Sequence, residues 1–221
     1  MDFFLLETVF NKEIKMLRLY YSPNSCALAS HILLEEVGSD YSVEEVDFKA
    51  NEQKKSDYLA INPKGRVPAL VTEEGVLTET PAILLYIAQK YPQKKMIPFQ
   101  DIFGLARIQE FNSYLCSTVH VAHAHRSRGS RWADDPIAIA DMAAKVKETV
   151  GACFHWLDTN IALGPWVLGE DYSICDPYLF TITRWLKGDG IDRKTLPAIN
   201  KHYLRMCDRL AVKNIIHHHN I

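Results

Sequence analysis

A proline stands where a strand should begin. The run Asn62-Pro63-Lys64-Gly65-Arg66-Val67-Pro68-Ala69-Leu70 opens with turn formers and continues into an apolar stretch, 67–71, that reads as a short buried strand. Proline has no N–H to give to a ladder. Pro68 therefore confines this strand to an edge, to a first-residue position, or to a bend at a cis Val67-Pro68 bond. Taken alone the run favours trans, since only about 5–6% of X–Pro bonds in folded proteins are cis. A cis bond would turn the main chain of Val67 outward, free to pair with an extended ligand. The rest of the chain decides between them.

Upstream, residues 17–21 form a β-type run that Ser22-Pro23-Asn24-Ser25 breaks with turn and capping residues. Leu28, Ile32, Leu33 and Val37 then recur at helical spacing as far as Gly38, which places Cys26 in the first turn of a helix. Residues 41–46 alternate as a second strand, and 51–59 read as a short polar helix. Downstream, Glu73-Glu74-Gly75 turns into Val76-Leu77, and Thr78-Glu79-Thr80-Pro81 opens a helix with Ile83, Leu84 and Ile87 on its apolar stripe. The order is βαβαββα. Tyr91-Pro92 ends it, 93–101 read as a linker, and 102–221 read as all helix, with segments near 102–126, 136–161, 174–188 and 195–210. Ser173-Ile174-Cys175-Asp176 is a capping box, read as a folding device rather than a site.

The 221 residues, 48% hydrophobic and 24% charged, suit a globular protein with a packed core, and the formal charge of −2 gives no field to recruit nucleic acid or an acidic membrane. Small molecules and other proteins are the expected partners. Five scattered cysteines without C-x-x-C spacing fit neither a zinc site nor a disulfide framework, and imply a reducing, cytoplasmic setting. Residues 1–15 lack a basic start and a small-residue cleavage site, so they read as an extension outside the core fold, and His217-His218-His219 is given no function.

Four features together, Ser25-Cys26-Ala27-Leu28-Ala29-Ser30-His31, the stretch 62–70, Leu77-Thr78-Glu79-Thr80 with its helix, and the box that begins at Ser173, resemble a glutathione transferase. The resemblance spans about 16–209 and, through Cys26, is closest to the bacterial Beta class. It implies an α/β plus all-α architecture: a thioredoxin-like, glutathione-binding domain at 16–92, a linker at 93–101 and a helical-bundle domain at 102–221. It also implies activation of the glutathione thiol for attack on a small apolar electrophile, glutathione as co-substrate without a metal, and a cytoplasmic homodimer that binds neither membrane nor nucleic acid. Disulfide exchange through Cys26 and non-catalytic ligand binding are the alternatives.

By this resemblance Cys26, Ser25 and His120 are the catalytic candidates, and Val67, Pro68, Glu79, Thr80, Lys49 and Ser117 hold glutathione. A helix N-terminus lowers the pKa of a thiol, so Cys26 is expected to be acidic or to steady the sulfur of a bound thiol. Tyr20, Tyr21 and Ser22 compete with it for that role. Thr80 and the helix N–H groups suit the γ-glutamyl carboxylate, and Glu79 suits its ammonium. Ser113, Ser117, His120 and His123 lie three or four apart, on one face of a continuous helix. Ser113, Val121 and Asn51 depart from the family pattern, which has asparagine, lysine and lysine there. Arg126, Arg128 and Arg131 with Trp132 form a basic-aromatic group, suited to an acidic electrophile or simply solvated. With Cys26 before it and Glu79-Thr80 after it, the Val67-Pro68 bond is predicted to be cis.

Overall fold

The computed structural model describes residues 16–160 and 164–221, so the extension expected at 1–15 lies outside the described residues. Strand β1 (Leu17–Tyr21) alternates as a half-covered strand must, with Leu17, Leu19 and Tyr21 buried and Arg18 outward. Helix α1 (Ala27–Val37) ends at Gly38, whose φ of 66° permits the left-handed turn that stops it. Strand β2 (Tyr41–Glu45) runs parallel to β1. After a short 3₁₀ turn and helix α2 (Ser56–Ile61), β3 (Ala69–Val71) and β4 (Val76–Thr78) pair antiparallel, giving the order β2-β1-β3-β4. Helix α3 (Thr80–Lys90) completes a thioredoxin-like βαβαββα layer.

The Val67-Pro68 bond is cis. The third strand begins at Ala69 rather than at Val67, because Pro68 has no N–H for the ladder; Ala69 is the first residue to pair, with Tyr20 on one side and Thr78 on the other. Gly65 makes the preceding turn possible: its φ is +60°, and a Cβ there would meet Gln53 O at 2.9 Å.

The remaining elements are helical: α4 (Ile102–Tyr114), α5 (His120–Arg128), α6 (Pro136–Asn160), α7 (Cys175–Thr183), α8 (Pro197–Asp208) and α9 (Leu210–His219). The helix expected as one piece over 102–126 is instead interrupted by a π segment, Leu115–Val119, whose wider turn shifts the face presented on either side. Helix α7 is shorter than the expected 174–188, because residues 184–190 go on as turns to Gly190, at φ 77°. Helix α9 was not expected from the sequence. It brings the histidine tail into the fold, with His219 buried and its Nε2 2.8 Å from Nδ1 of buried His31.

One apolar body joins the sheet to the helices, from Leu19, Leu33, Leu34 and Leu70 through Ile83 and Leu84 to Phe111, Val150, Phe154 and Leu179. Each such side chain contributes about 1.5–3 kcal/mol on burial. Helix α1 packs against α3, α7 and α9, which fixes the position of its N-terminus. The Ser173–Asp176 box forms, with Ser173 N–H donating to Asp176 Oδ2 at 2.7 Å, but the Ser173 hydroxyl accepts from Cys175 N–H at 3.3 Å rather than from the third helical amide. Asp176 is fully buried and also accepts from Val167 N–H at 2.9 Å and faces His202 Nε2 at 3.0 Å. Among the described residues no helix is long and apolar enough to cross a membrane.

Candidate active site

The loop after β1 is held from both halves of the molecule. Ser25 Oγ donates to Ser22 O at 2.6 Å and accepts from Ala27 N–H at 3.3 Å, so this hydroxyl is spent on closing the turn. Across the cleft, Trp185 Nε1 donates to Asn24 O at 2.9 Å. Cys26 takes the cap position of α1 and directs its S–H to Val67 O, with Sγ 3.5 Å from that oxygen.

The thiol is not acidic. Although Cys26 keeps some exposed surface, its sulfur is crowded by protein, and burial pushes its pKa above the ordinary thiol value. The Thr80 hydroxyl, the Arg128 charge and the Cys26 amide pull it down, while Glu79 pushes it further up; burial wins. The acidic thiol expected at a helix start is thus corrected, because that expectation took no account of desolvation.

Val67 is buried and its N–H has no partner in the protein among the described residues. The carbonyl just before it, Arg66 O, is clamped by Tyr58 OH and Asn62 Nδ2, each at 2.6 Å. These clamps hold the main chain just before Val67 while leaving its own N–H unused. At the start of α3, Thr80 is buried beside the sulfur, and Glu79 holds a φ of 71°. A non-glycine residue in that region costs about 1–3 kcal/mol and persists where the surroundings impose it. The Glu79 carboxylate meets Lys64 Nζ at 2.7 Å, and the same ammonium donates to Thr78 Oγ1 at 2.9 Å. Lys64 gave no signal in the sequence beyond its place in the turn.

His120 comes from the other wall. Its ring lies 4.9 Å from that of Trp185, and burial first, then His123, Arg128, Arg131 and Arg66, lower its pKa to about 4, so it is neutral at neutral pH. His123 stacks on the same indole at 4.4 Å and is bound to Asp189 at 2.8 Å, which gives it a structural duty. The π segment splits the expected common face: Ser113 and Ser117 are exposed, with Ser117 Oγ bonded back to Ser113 O at 2.7 Å, while His120 turns onto Trp185. Lys49 is exposed on the loop after β2, where its N–H donates to Asp47 Oδ1 at 2.7 Å. The basic group also divides. Arg126 pairs with Asp189 at 3.2 Å and Trp132 meets His125 at 4.4 Å, whereas Arg128 reaches Phe48, its guanidinium carbon 5.8 Å from the ring centre. Trp185 and Arg128 were not singled out for these contacts, because both act across a cleft that no local spacing describes.

Comparison with known proteins gives a consistent result. Residues 15–89 match the glutathione S-transferase N-terminal domain. Glutathione S-transferase GstA of Escherichia coli O157:H7 is 30% identical over 206 residues, covering 90% of this chain and 97% of that protein. Among solved structures, a glutathione transferase homologue from Sulfitobacter with bound glutathione is 45% identical at a TM-score of 0.89, covering 92% of this chain and 98% of the other. A bacterial beta class glutathione S-transferase from Sphingomonas chungbukensis is 30% identical at a TM-score of 0.79, covering 91% and 98%.

Proposed function

The chain belongs to the glutathione transferase family, and from that footing we propose that glutathione lies along the main chain of Val67, its thiol beside Cys26 and its γ-glutamyl end at the start of α3. The observation that carries this reading is the Cys26–Val67 pairing. A thiol 3.5 Å from Val67 O, next to an unpartnered Val67 N–H, offers one small region both peptide pairing and a sulfur contact. Thr80 and the α3 amides then take the γ-glutamyl carboxylate, and Glu79 exchanges Lys64 for the ligand ammonium. Lys49 and Ser117 supply further polar contacts at the rim, Pro68 shapes the bend, and Ser25 holds the turn on which Cys26 stands.

Burial keeps the Cys26 S–H protonated at neutral pH, so on ligand binding it turns from Val67 O and acts as a donor to the glutathione sulfur. A donor aimed at that sulfur favours its thiolate form. The thiolate attacks an electrophilic carbon in the cleft, a C–S bond forms, and the leaving group departs with the bonding pair. His120, neutral and facing the same cleft, offers a ring nitrogen to the thiol proton or to the incoming group. Disulfide exchange would need a thiolate at Cys26 itself, which the raised pKa opposes, so conjugation is the reading adopted.

In this reading 16–92 bind glutathione, 93–101 link, and 102–221 supply the opposite wall. The five free cysteines support a reducing, cytoplasmic setting, where disposal of reactive apolar compounds suits the chemistry. Phe99, Ile102 and Phe103, exposed together at 46%, 88% and 75%, support a homodimer covering this patch. Retention on immobilised glutathione, followed by conjugation of 1-chloro-2,4-dinitrobenzene, tests the proposal. No binding at millimolar glutathione overturns it, and binding without turnover across a panel of electrophiles leaves only the ligand-binding alternative.

A further inference from the structure

Beyond the glutathione contacts, three exposed arginines flank the cleft, and none of them is paired with an acid among the described residues. We infer that Arg66, Arg128 and Arg131 form an anion-binding wall that selects electrophiles carrying a carboxylate or a similar negative group. This rests on the proposed conjugation at the same cleft.

Arg128 ends α5 and places its guanidinium carbon 5.8 Å from the Phe48 ring centre, reaching from the helical half to the loop after β2. Arg131 follows in the turn Gly129–Arg131, and Arg66 immediately precedes Val67 on the opposite wall. Their charges overlap: Arg128 and Arg66 both act on Arg131, all three act on His120, and Arg128 also acts on the Cys26 thiol. Phe48 in turn packs against the buried cluster that holds Ala27 and Val67, so Arg128 stands over the same region as Arg66 and the proposed reacting sulfur.

None of the three meets a carboxylate among the described residues, whereas Arg107, Arg126 and Arg209 are paired with Glu110, Asp189 and Glu36. Like charges brought together without a counter-ion repel one another, and an anion placed between them removes that repulsion while gaining charge-assisted hydrogen bonds. Phe48, half-buried beneath Arg128, gives the body of such a ligand an aromatic face. The glycyl carboxylate of glutathione is a competing occupant. It needs one cation, and Lys49 stands next to Phe48 on the same loop, so three additional guanidiniums exceed its requirement.

The test compares chloride displacement from 1-chloro-2,4-dinitrobenzene with that from 4-chloro-3,5-dinitrobenzoate. In both, sulfur bonds to the carbon that loses chloride, and the thiol proton passes to solvent. Relative to the uncatalysed ratio, kcat/KM is expected to favour the benzoate by about tenfold or more, the factor a single charge-assisted contact supplies. That preference should fall with salt, collapse in Arg128→Gln/Arg131→Gln, and survive in Arg128→Lys. An unchanged ratio in the double Gln variant overturns the inference, as does an equal rise in glutathione KM with both acceptors at constant ratio, which would give the arginines to glutathione. Calorimetry with 3,5-dinitrobenzoate and with 1,3-dinitrobenzene reads the same wall without turnover. An enzyme that conjugates neither acceptor yet binds the benzoate through these arginines would sink conjugation and leave the wall standing; no preference for the benzoate would sink the wall.

Discussion

His31 Nδ1 and His219 Nε2 lie 2.8 Å apart between α1 and α9, a contact spanning almost the whole chain. His218 Nε2 sits 3.3 Å from Tyr21 OH beside them, and the His31 ring meets Tyr41 edge-on at 5.4 Å. In such a contact one ring nitrogen donates and the other accepts, and burial disfavours adding a further proton to either ring.

The pH dependence of stability follows. Burial first, then the neighbouring histidines, lower His31 from 6.5 to about 3, and burial, His218 and Arg184 lower His219 from 6.5 to about 4. Below pH 6.5 the unfolded chain therefore binds protons that the folded chain refuses, so stability is full above that pH and is lost as pH falls towards 4 and 3. The expected slope is roughly 1.4 kcal/mol per pH unit for each histidine. Urea midpoints measured at about pH 7.5 and about pH 4.5 check the sign. His31→Gln/His219→Gln should flatten the decline; an equally steep fall in that variant would remove the pair as its cause.

Replacement of Cys26 separates a donor from a nucleophile. Cys26→Ser keeps a donor and is expected to hold kcat/KM within about tenfold, whereas Cys26→Ala, which loses a hydrogen bond to a charged sulfur, should lower it by about 10- to 100-fold. In Cys26→Ala the pH–rate profile should also show the glutathione thiol titrating higher by roughly one unit. Complete loss of conjugation in both variants, with wild-type glutathione binding, would instead make Cys26 a covalent participant.

At the γ-glutamyl end, Thr80→Val should raise the glutathione KM by about 10- to 100-fold, because a buried hydroxyl facing a charged group is worth roughly 1.5–3 kcal/mol. Lys64→Ala should change it by less than about fivefold, since the Lys64–Glu79 pair is exposed and such pairs contribute about 0–1 kcal/mol. Steady-state kinetics with saturating acceptor give both numbers, and a larger effect at Lys64 than at Thr80 would reverse the assignment.

What the sequence revealed divides along physical lines. Turn chemistry and periodicity are local, so the βαβαββα order, the cap position of Cys26 and the start of α3 at Thr80 were legible. The cis bond at Pro68 became legible only through the surrounding family pattern. Three things were hidden for a common reason. The raised pKa of Cys26 comes from atoms packed around it, the reach of Trp185 to Asn24 joins residues 161 positions apart, and the burial of His219 depends on a helix that packs on α1 far upstream in the chain. Spacing along the chain carries no trace of such long-range contacts. The π segment at Leu115–Val119 was missed differently: its apolar residues fit an α-helix equally well, so the pattern alone drew a continuous helix through it.

Asp176 gives a sharp test of the difference between a cap and a buried hub. As a helix cap alone its removal would cost about 0.5–2 kcal/mol. Its carboxylate, however, is fully buried and meets four partners: Ser173 N at 2.7 Å, Ser173 Oγ at 3.2 Å, Val167 N at 2.9 Å and His202 Nε2 at 3.0 Å. Removing it strands these donors inside the protein, three of them on the segment that leads into α7 and one on α8. Asp176→Ala is therefore expected to destabilise by about 3–5 kcal/mol, the cost of breaking a buried charged network from one side. Ser173→Ala removes one cap hydroxyl and leaves the carboxylate paired, so about 1 kcal/mol is expected. Urea unfolding at neutral pH measures both, and equal losses in the two variants would show that His202 and Val167 add nothing to the box.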